Sequence, residues 1–218
     1  MIKPPLVKVI SIPYLFGMTD GLGQARRIAE LLVHLGRAAR VEDTRSRLTA
    51  AQWTCLRFFA SANGSTRTPS AFARFQATTR GTASQTIKTL EQRGLITRHK
   101  SATDGRSVRF DLTSTGQAML DEDPLRDLVG SIGDLAQGQR ADLLEALSHL
   151  TASLAGTRQT QAFGTCSDCT HFTPAGDSGY CACMAVALAT DEIDRLCASY
   201  DGPVRATQLE EGPSNDRA

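Results

Sequence analysis

Five of the six cysteines in this 218-residue chain fall between Cys166 and Cys197, in CSDCTHFTPAGDSGYCACMAVALATDEIDRLC. Cys166 and Cys169 form a CxxC pair, a spacing that lets two thiolates of one turn reach the same metal ion or cluster. Cys181 and Cys183 are two apart, so in an extended segment both point the same way, and Cys197 closes the set after an apolar stretch. With Cys181 as third ligand the intervening gaps are 2, 11 and 15 residues; with Cys183 they are 2, 13 and 13. Four thiolates need deprotonation and a positive centre to sit together, so a bound metal is the economical explanation of the cluster. A structural zinc usually presents a second CxxC knuckle, which this chain lacks, and the familiar ferredoxin spacings do not match either. The spacing alone leaves an iron-sulfur cluster and zinc both open, on Cys166, Cys169, Cys181 and Cys197 with Cys183 as alternative third ligand.

Other cysteine chemistry fits less well. His171 could replace a thiolate, but a surface histidine is the plainer reading, and Cys55, alone beside Trp53 and Leu56, reads as core filler. A redox enzyme using Cys166 and Cys169 as a dithiol would need a thioredoxin-like strand and helix around CSDC and a carboxylate or histidine constellation. Neither accompanies it, so no catalytic residue is assigned and the chain is expected not to be an enzyme.

The charge pattern supplies a second chemistry. A formal net charge of +1 conceals residues 64–110 with nine Lys/Arg against two Asp/Glu, and residues 111–218 with six against seventeen. A segment this basic inside a nearly neutral chain is the footprint of a polyanion partner, most simply a phosphate backbone. The opening MIKPPLVKVISIPYLFGM is broken by Ser11 and Pro13, so no signal peptide or membrane span is expected. A loose N-terminal arm over residues 1–17, or a natural beginning at Met18, and a cytoplasmic location follow, and reducing conditions there favour metal ligands over disulfides.

The elements that must position these groups follow from periodicity. Asp20 can cap a helix over residues 21–40 whose Ala25, Ile28, Ala29, Leu32 and Leu35 form an apolar stripe. Thr49 and Gln52 make a capping box for a second helix, with Trp53, Leu56, Phe59 and Ala60 on one face and an end at Asn63 and Gly64. Thr68 and Pro69 open a short third helix, and Thr79 caps a fourth whose Ala83, Ile87 and Leu90 face inward until Gly94 stops it. Two alternating runs, LITRHK and SVRFDLT, flank Asp104 and Gly105, the residues of a tight hairpin turn. Helix, turn, helix and hairpin together predict a winged helix-turn-helix. Further helices are expected at 115–120, 124–135 and 139–154, with a stripe of Leu143, Leu147, Leu150 and Leu154 that implies a helical dimer interface with the first helix, or packing of the two within one chain.

ASQTIKTLEQRGLITR and DGRSVRFDLTSTG resemble the MarR family of dimeric bacterial transcription regulators over roughly residues 20–156. Asp104, Arg106, Leu112, Thr113 and Gly116 fit the wing pattern of that family. The resemblance implies a homodimer whose two recognition helices read successive major grooves of a palindromic operator in double-stranded DNA, with the wing tips near the minor groove. Pro124 departs from it, because the family usually runs one long helix there and this chain should restart or kink.

The residues assign the contacts. Arg80, Gly81, Thr82, Ser84, Gln85 and Lys88 occupy the polar face of the fourth helix, with Gln85 suited to an adenine edge and Arg80 to guanine or phosphate. Arg106 is the minor-groove candidate. Arg67, Arg98, Lys100 and Arg109 are expected at phosphates.

The fold class expected is α+β, mainly helical: a winged helix-turn-helix with flanking dimerisation helices and a small cysteine-rich C-terminal module. Its divisions are an arm at 1–17, a dimerisation helix at 18–48, the DNA-binding domain at 49–113, dimerisation helices at 114–157, a metal or cluster module at 158–200 and a disordered tail at 201–218. Function is expected to be transcription regulation, as a repressor, with an iron-sulfur centre sensing redox or iron state. Assembly or loss of that centre would order or release residues 160–200, which hang from the dimer helices, and so alter the separation of the recognition helices. The alternative is a MarR-type regulator with a zinc staple that answers a small aromatic effector. Some proteins resembling the MarR family carry a comparable four-cysteine tail associated with an iron-sulfur centre.

Overall fold

The computed structural model describes residues 21–39, 48–100 and 108–202. The chain forms two compact units, Met1–Val41 and Glu42–Ala218. The first contains helix α1 (Gly21–Ala38), none of whose residues is buried; Ile28, Leu32 and Leu35 of its apolar stripe stand exposed. Asp20 and the 1–17 arm lie outside the described residues.

The second unit opens with α2 (Ala50–Ser61). Its start is set by the capping box: the Gln52 N–H donates to Thr49 Oγ1, and the Thr49 N–H to Gln52 Oε1 at 2.9 Å. Helix α3 (Pro69–Phe75) follows, capped by Thr68, then α4 (Arg80–Gln92), capped by Thr79. Strands β1 (Ile96–Lys100) and β2 (Val108–Leu112) pair antiparallel from Ile96 opposite Leu112 to Lys100 opposite Val108. The hairpin tip with Asp104, Gly105 and Arg106 lies outside the described residues.

The end of the wing explains its LTSTG signature. Gly94 adopts φ +69° and ends α4, and the Thr113 hydroxyl donates to its carbonyl at 2.6 Å. Thr113 also caps α5 (Ser114–Leu120) by accepting from the Gly116 N–H. That draws α5 onto the backbone of Leu95 so closely that a β-carbon on Gly116 would overlap the Leu95 carbonyl oxygen. Glycine is required there by contact rather than by backbone angle.

The restart expected at Pro124 is present. α5 ends at Leu120, Asp123 takes an ion pair from Arg57 at 2.7 Å and the N–H of Leu125 at 2.8 Å, and α6 (Arg126–Gly133) begins afresh. α7 (Gln137–Thr157) buries no residue, and Leu150 and Leu154 are exposed, whereas Leu143 and Leu147 are half-buried. Beyond it lie a 3-10 turn (Cys166–Asp168), an antiparallel meander of β3 (Phe172–Ala175), β4 (Ser178–Cys181) and β5 (Val186–Leu188), and the short α8 (Thr190–Ile193).

The core centres on α2. Trp53, Leu56 and Phe59 of the expected face are buried, Cys55 is buried as its reading as core filler expects, and Phe58 is buried beyond that face. Helices α4 and α5 and strand β2 take part of its circumference, and Phe72 of α3 packs on Phe58 at 5.4 Å between ring centroids. The C-terminal segment takes more: Ala198 joins the core, Leu196 and Phe163 pack against it, and Phe163 meets Phe75 edge-on at 5.3 Å. Each fully buried Phe or Leu contributes about 1.5–3 kcal/mol relative to exposure.

Candidate nucleic-acid interface and thiol cluster

Helix α4 is amphipathic by design of its spacing. Ala83, Ile87 and Leu90 are buried, which turns Arg80, Gly81, Thr82, Ser84, Gln85 and Lys88 outward, all exposed. Thr82 has one task inside the helix already, because its N–H and hydroxyl both meet Thr79 Oγ1. The first turn carries no acidic residue, so the positive end of the helix dipole and the Arg80 charge face the same way. Such an end, on an exposed helix, favours a phosphate oxygen or an acceptor on a base edge.

The strands add further cations. Arg98 and Lys100 of β1 are exposed and Arg109 of β2 is half-buried. His99 stands 3.6 Å from Asp111, so its charge when protonated is shared with the fold. Arg106 lies outside the described residues. Arg67 departs from the phosphate-contact expectation: its Nε donates to the Ala62 carbonyl at 2.9 Å and its Nη1 to Asp111 at 2.7 Å, and it is half-buried. Its donors bind the α2–α3 loop to the wing rather than reaching outward.

The C-terminal cysteines gather unequally. Cys166, Cys181 and Cys197 are buried, Cys169 is half-buried and Cys183 is exposed. The backbone shows why. Cys169 N–H donates to the Cys166 carbonyl in a tight turn, Phe172 N–H donates to the Cys169 carbonyl, and Phe172 pairs with Cys181 across the meander. Cys197 N–H donates to the carbonyl of Gly164, two residues before Cys166. Burial pushes the Cys166 thiol up to about 11, and the negative charge of Cys197, Cys181 and Cys169 adds to the rise, followed by Glu192. Cys183 has no part in that effect.

The thiols are thus neighbours, but among the described residues no three His, Cys, Asp or Glu side chains are arranged as a formed metal shell. The donor chemistry fits a soft, thiophilic centre: three buried thiols and a fourth at the edge, with the Ser199 N–H directed at Cys197 Sγ at 3.4 Å. His171 faces Asp201 at 3.9 Å, which agrees with a surface position. Burial raises the Cys55 thiol far above its ordinary value, so it is an inert core residue.

Residues 48–107 match the MarR family. The matched stretch takes in all of α2, α3 and α4 and strand β1. Among solved structures, a MarR family transcription regulator shares 20% identity, covers 65% of this chain and 97% of its own, and superposes with a TM-score of 0.50. BldR from Sulfolobus solfataricus shares 20% identity, covering 62% of this chain and 99% of its own, TM-score 0.49. Streptococcus pneumoniae FabT, solved in complex with DNA, shares 22%, covering 61% and 99%, TM-score 0.46. No curated protein matches the sequence. Among the described residues no helix is long and apolar enough to cross a membrane.

The MarR match ends well before the cysteines, yet the two parts share one unit. Residues 160–200, expected to hang from the dimer helices, dock on the α2–α3 part of the winged helix. Leu196 bridges Ala62, its N–H donating to the Ser61 carbonyl and its carbonyl accepting from the Asn63 N–H. Ala198 N–H donates to Thr66 Oγ1 at 2.8 Å, Gly64 N–H to Glu192 at 3.0 Å, and Arg195 Nη1 to the Ala60 carbonyl at 3.0 Å. Sequence reasoning passed over Asn63, Thr66, Glu192 and Arg195. Their partners lie up to 135 positions away, and no periodicity reports a contact of that span.

Proposed function

We propose that this chain is a MarR-type transcription regulator that binds duplex DNA through α4 and the wing, as a homodimer, with a metal centre on its C-terminal thiols modulating that affinity. The observation that carries DNA binding is the outward face of α4: Arg80, Gln85 and Lys88 exposed beside a helix N-terminus free of acid, on a core that fixes its orientation. Support for the dimer comes from the uncovered apolar side chains of α1 and α7, which a second copy would bury. Support for the centre comes from Cys166, Cys169, Cys181 and Cys197 being neighbours while Cys183 is apart. An iron-sulfur cluster is the reading preferred, with zinc as its competitor.

Two measurements test the proposal. Selection of bound duplexes from a random pool should return a palindrome, and Gln85→Ala should relax its sequence preference by about 1–3 kcal/mol at one position per half-site. Recovery of unrelated sequences, unaltered by Gln85→Ala, refutes sequence reading. Protein isolated without oxygen should absorb visible light and contain iron and acid-labile sulfide. Colourless protein with stoichiometric zinc replaces the cluster by a zinc staple.

A further inference from the structure

The hydrogen bonds that tie the C-terminal segment to residues 60–66 come from a short stretch, residues 192–198, that also contains one of the proposed ligands. Cys197 lies between Leu196 and Ala198. On one side its own N–H is held by the carbonyl of Gly164, in the segment that leads into Cys166. On the other, its two neighbours bond to residues 61–66: Leu196 to Ser61 and Asn63, and Ala198 to the hydroxyl of Thr66. Thr66 is 1% exposed and Ala198 8%, so the bond between them is sealed from water and a lost partner there is not replaced by solvent.

From Thr66 the links continue to the DNA-binding elements. Thr66 N–H is fixed by the carbonyl and side chain of Asn63. The next residue, Arg67, accepts the N–H of Phe110 in β2 on its carbonyl at 3.0 Å and pairs with Asp111 through its guanidinium. The one after, Thr68, caps α3, which packs on α4. Glu192 holds the same loop by accepting from Gly64 N–H.

We propose that the thiol centre acts on DNA binding within its own protomer: ligation of Cys197 fixes residues 196–198, and these hold the 61–68 loop that seats wing strand β2 and the start of α3. This rests on the metal reading above and names its route. Filling the centre orders the loop and raises DNA affinity; emptying it frees the loop and lowers it. No change in the separation of two protomers is required.

The test uses the full-length chain with cobalt(II) as probe, because cobalt bound to thiolates absorbs in the near ultraviolet and titrates visibly. For the wild type, one cobalt per chain should tighten binding to a duplex by about tenfold, within the 5–150-fold common for coupled sites. Hydrogen exchange at the Phe110 amide should slow on loading. Thr66→Val removes the acceptor of the Ala198 N–H, and Glu192→Ala the acceptor of the Gly64 N–H. Each should still bind one cobalt with the same spectrum, while the affinity difference between loaded and empty protein shrinks to within about twofold and Phe110 exchange no longer responds. Circular dichroism identifies a variant that fails to fold, and the other then carries the test. Full retention of the affinity change in a folded, cobalt-binding variant overturns the route and leaves the metal reading standing. Absence of cobalt–thiolate absorption in the wild type, together with absence of iron, acid-labile sulfide and zinc from protein isolated without oxygen, overturns the metal reading, and this proposal with it.

Discussion

Arg67 and Lys100 separate what a basic residue does for the fold from what it does for a nucleic acid. Both are cations of the basic segment, but Arg67 is half-buried with its guanidinium on Ala62 and Asp111, whereas Lys100 is exposed on β1. A lysine that neutralises a phosphate contributes about 0.9 to the slope of log affinity against log salt. In a homodimer Lys100→Ala should therefore flatten the slope by about 1.8. Arg67→Ala should leave the slope unchanged and lower stability instead. It removes a bond to the fully buried Ala62 and an ion pair to Asp111, whose side chain is 44% exposed, so the second contact is discounted for screening. A loss of about 2–3 kcal/mol remains, or a fall in Tm of roughly 5–10 °C for a chain of this size. The assay is fluorescence anisotropy with a labelled duplex of arbitrary sequence between about 50 and 200 mM salt, since phosphate contacts do not depend on sequence. Thermal unfolding is measured beside it. A slope that flattens in Arg67→Ala as much as in Lys100→Ala, with Tm unmoved, would falsify the assignment of Arg67 to the fold.

Gly116→Ala should cost at least about 2 kcal/mol of stability, read as a downward shift of the urea midpoint, because the new β-carbon meets the Leu95 carbonyl, which is backbone and cannot swing aside; an unmoved midpoint contradicts the packing of α5. Cys181→Ser should abolish metal retention and Cys183→Ser should leave metal content unchanged, since only the first is buried among the other thiols. Equal loss in both variants would mean that Cys183 is a ligand. For metal-free, reduced protein, the Cys166 thiol is raised from 9.0 to about 11, so the folded state holds that proton more tightly than the unfolded chain does. Its contribution is complete below pH 9.0 and disappears as pH rises through about 11, and denaturation midpoints should fall across that window. A midpoint that rises there reverses the sign and the argument.

The parts of the fold that were legible in the sequence are those set by contacts within a few residues. The caps at Thr49, Thr68 and Thr79 all accept from their own first turns, and each is visible as a threonine at the start of a helical stretch. The restart at Pro124 follows from a missing N–H. The burial of Cys55 was legible, but that of Phe58 was hidden, because it depends on what covers the second side of α2, where Phe72 and Phe75 meet its ring at 5.4 and 5.1 Å. Arg67 was misplaced for the same reason: its type marks it as a cation, but its partners Ala62 and Asp111 are chosen by tertiary structure. The preference for Cys181 over Cys183 had no structural ground in the sequence, since an alternating strand points both thiols one way. β4 ends at Cys181, so Cys183 falls outside the meander's register and is left exposed.

Docking of residues 196–198 on the 61–66 loop carries a thermodynamic consequence that does not depend on which metal is bound. A ligand changes the affinity of a distant site only through contacts that differ between the two states of the protein. The bonds of Leu196 and Ala198 to the loop are where such a difference would arise. If filling the thiol site strengthens DNA binding by some factor, DNA must strengthen metal binding by that same factor. Titrating a thiophilic metal into the protein with and without its preferred duplex, against a competing chelator, therefore measures the coupling from the opposite side. Agreement of the two factors places one equilibrium beneath both. If DNA affinity rises tenfold with metal while metal affinity is indifferent to DNA, the metal is acting on association state or on folding, and the 61–66 loop is not its lever.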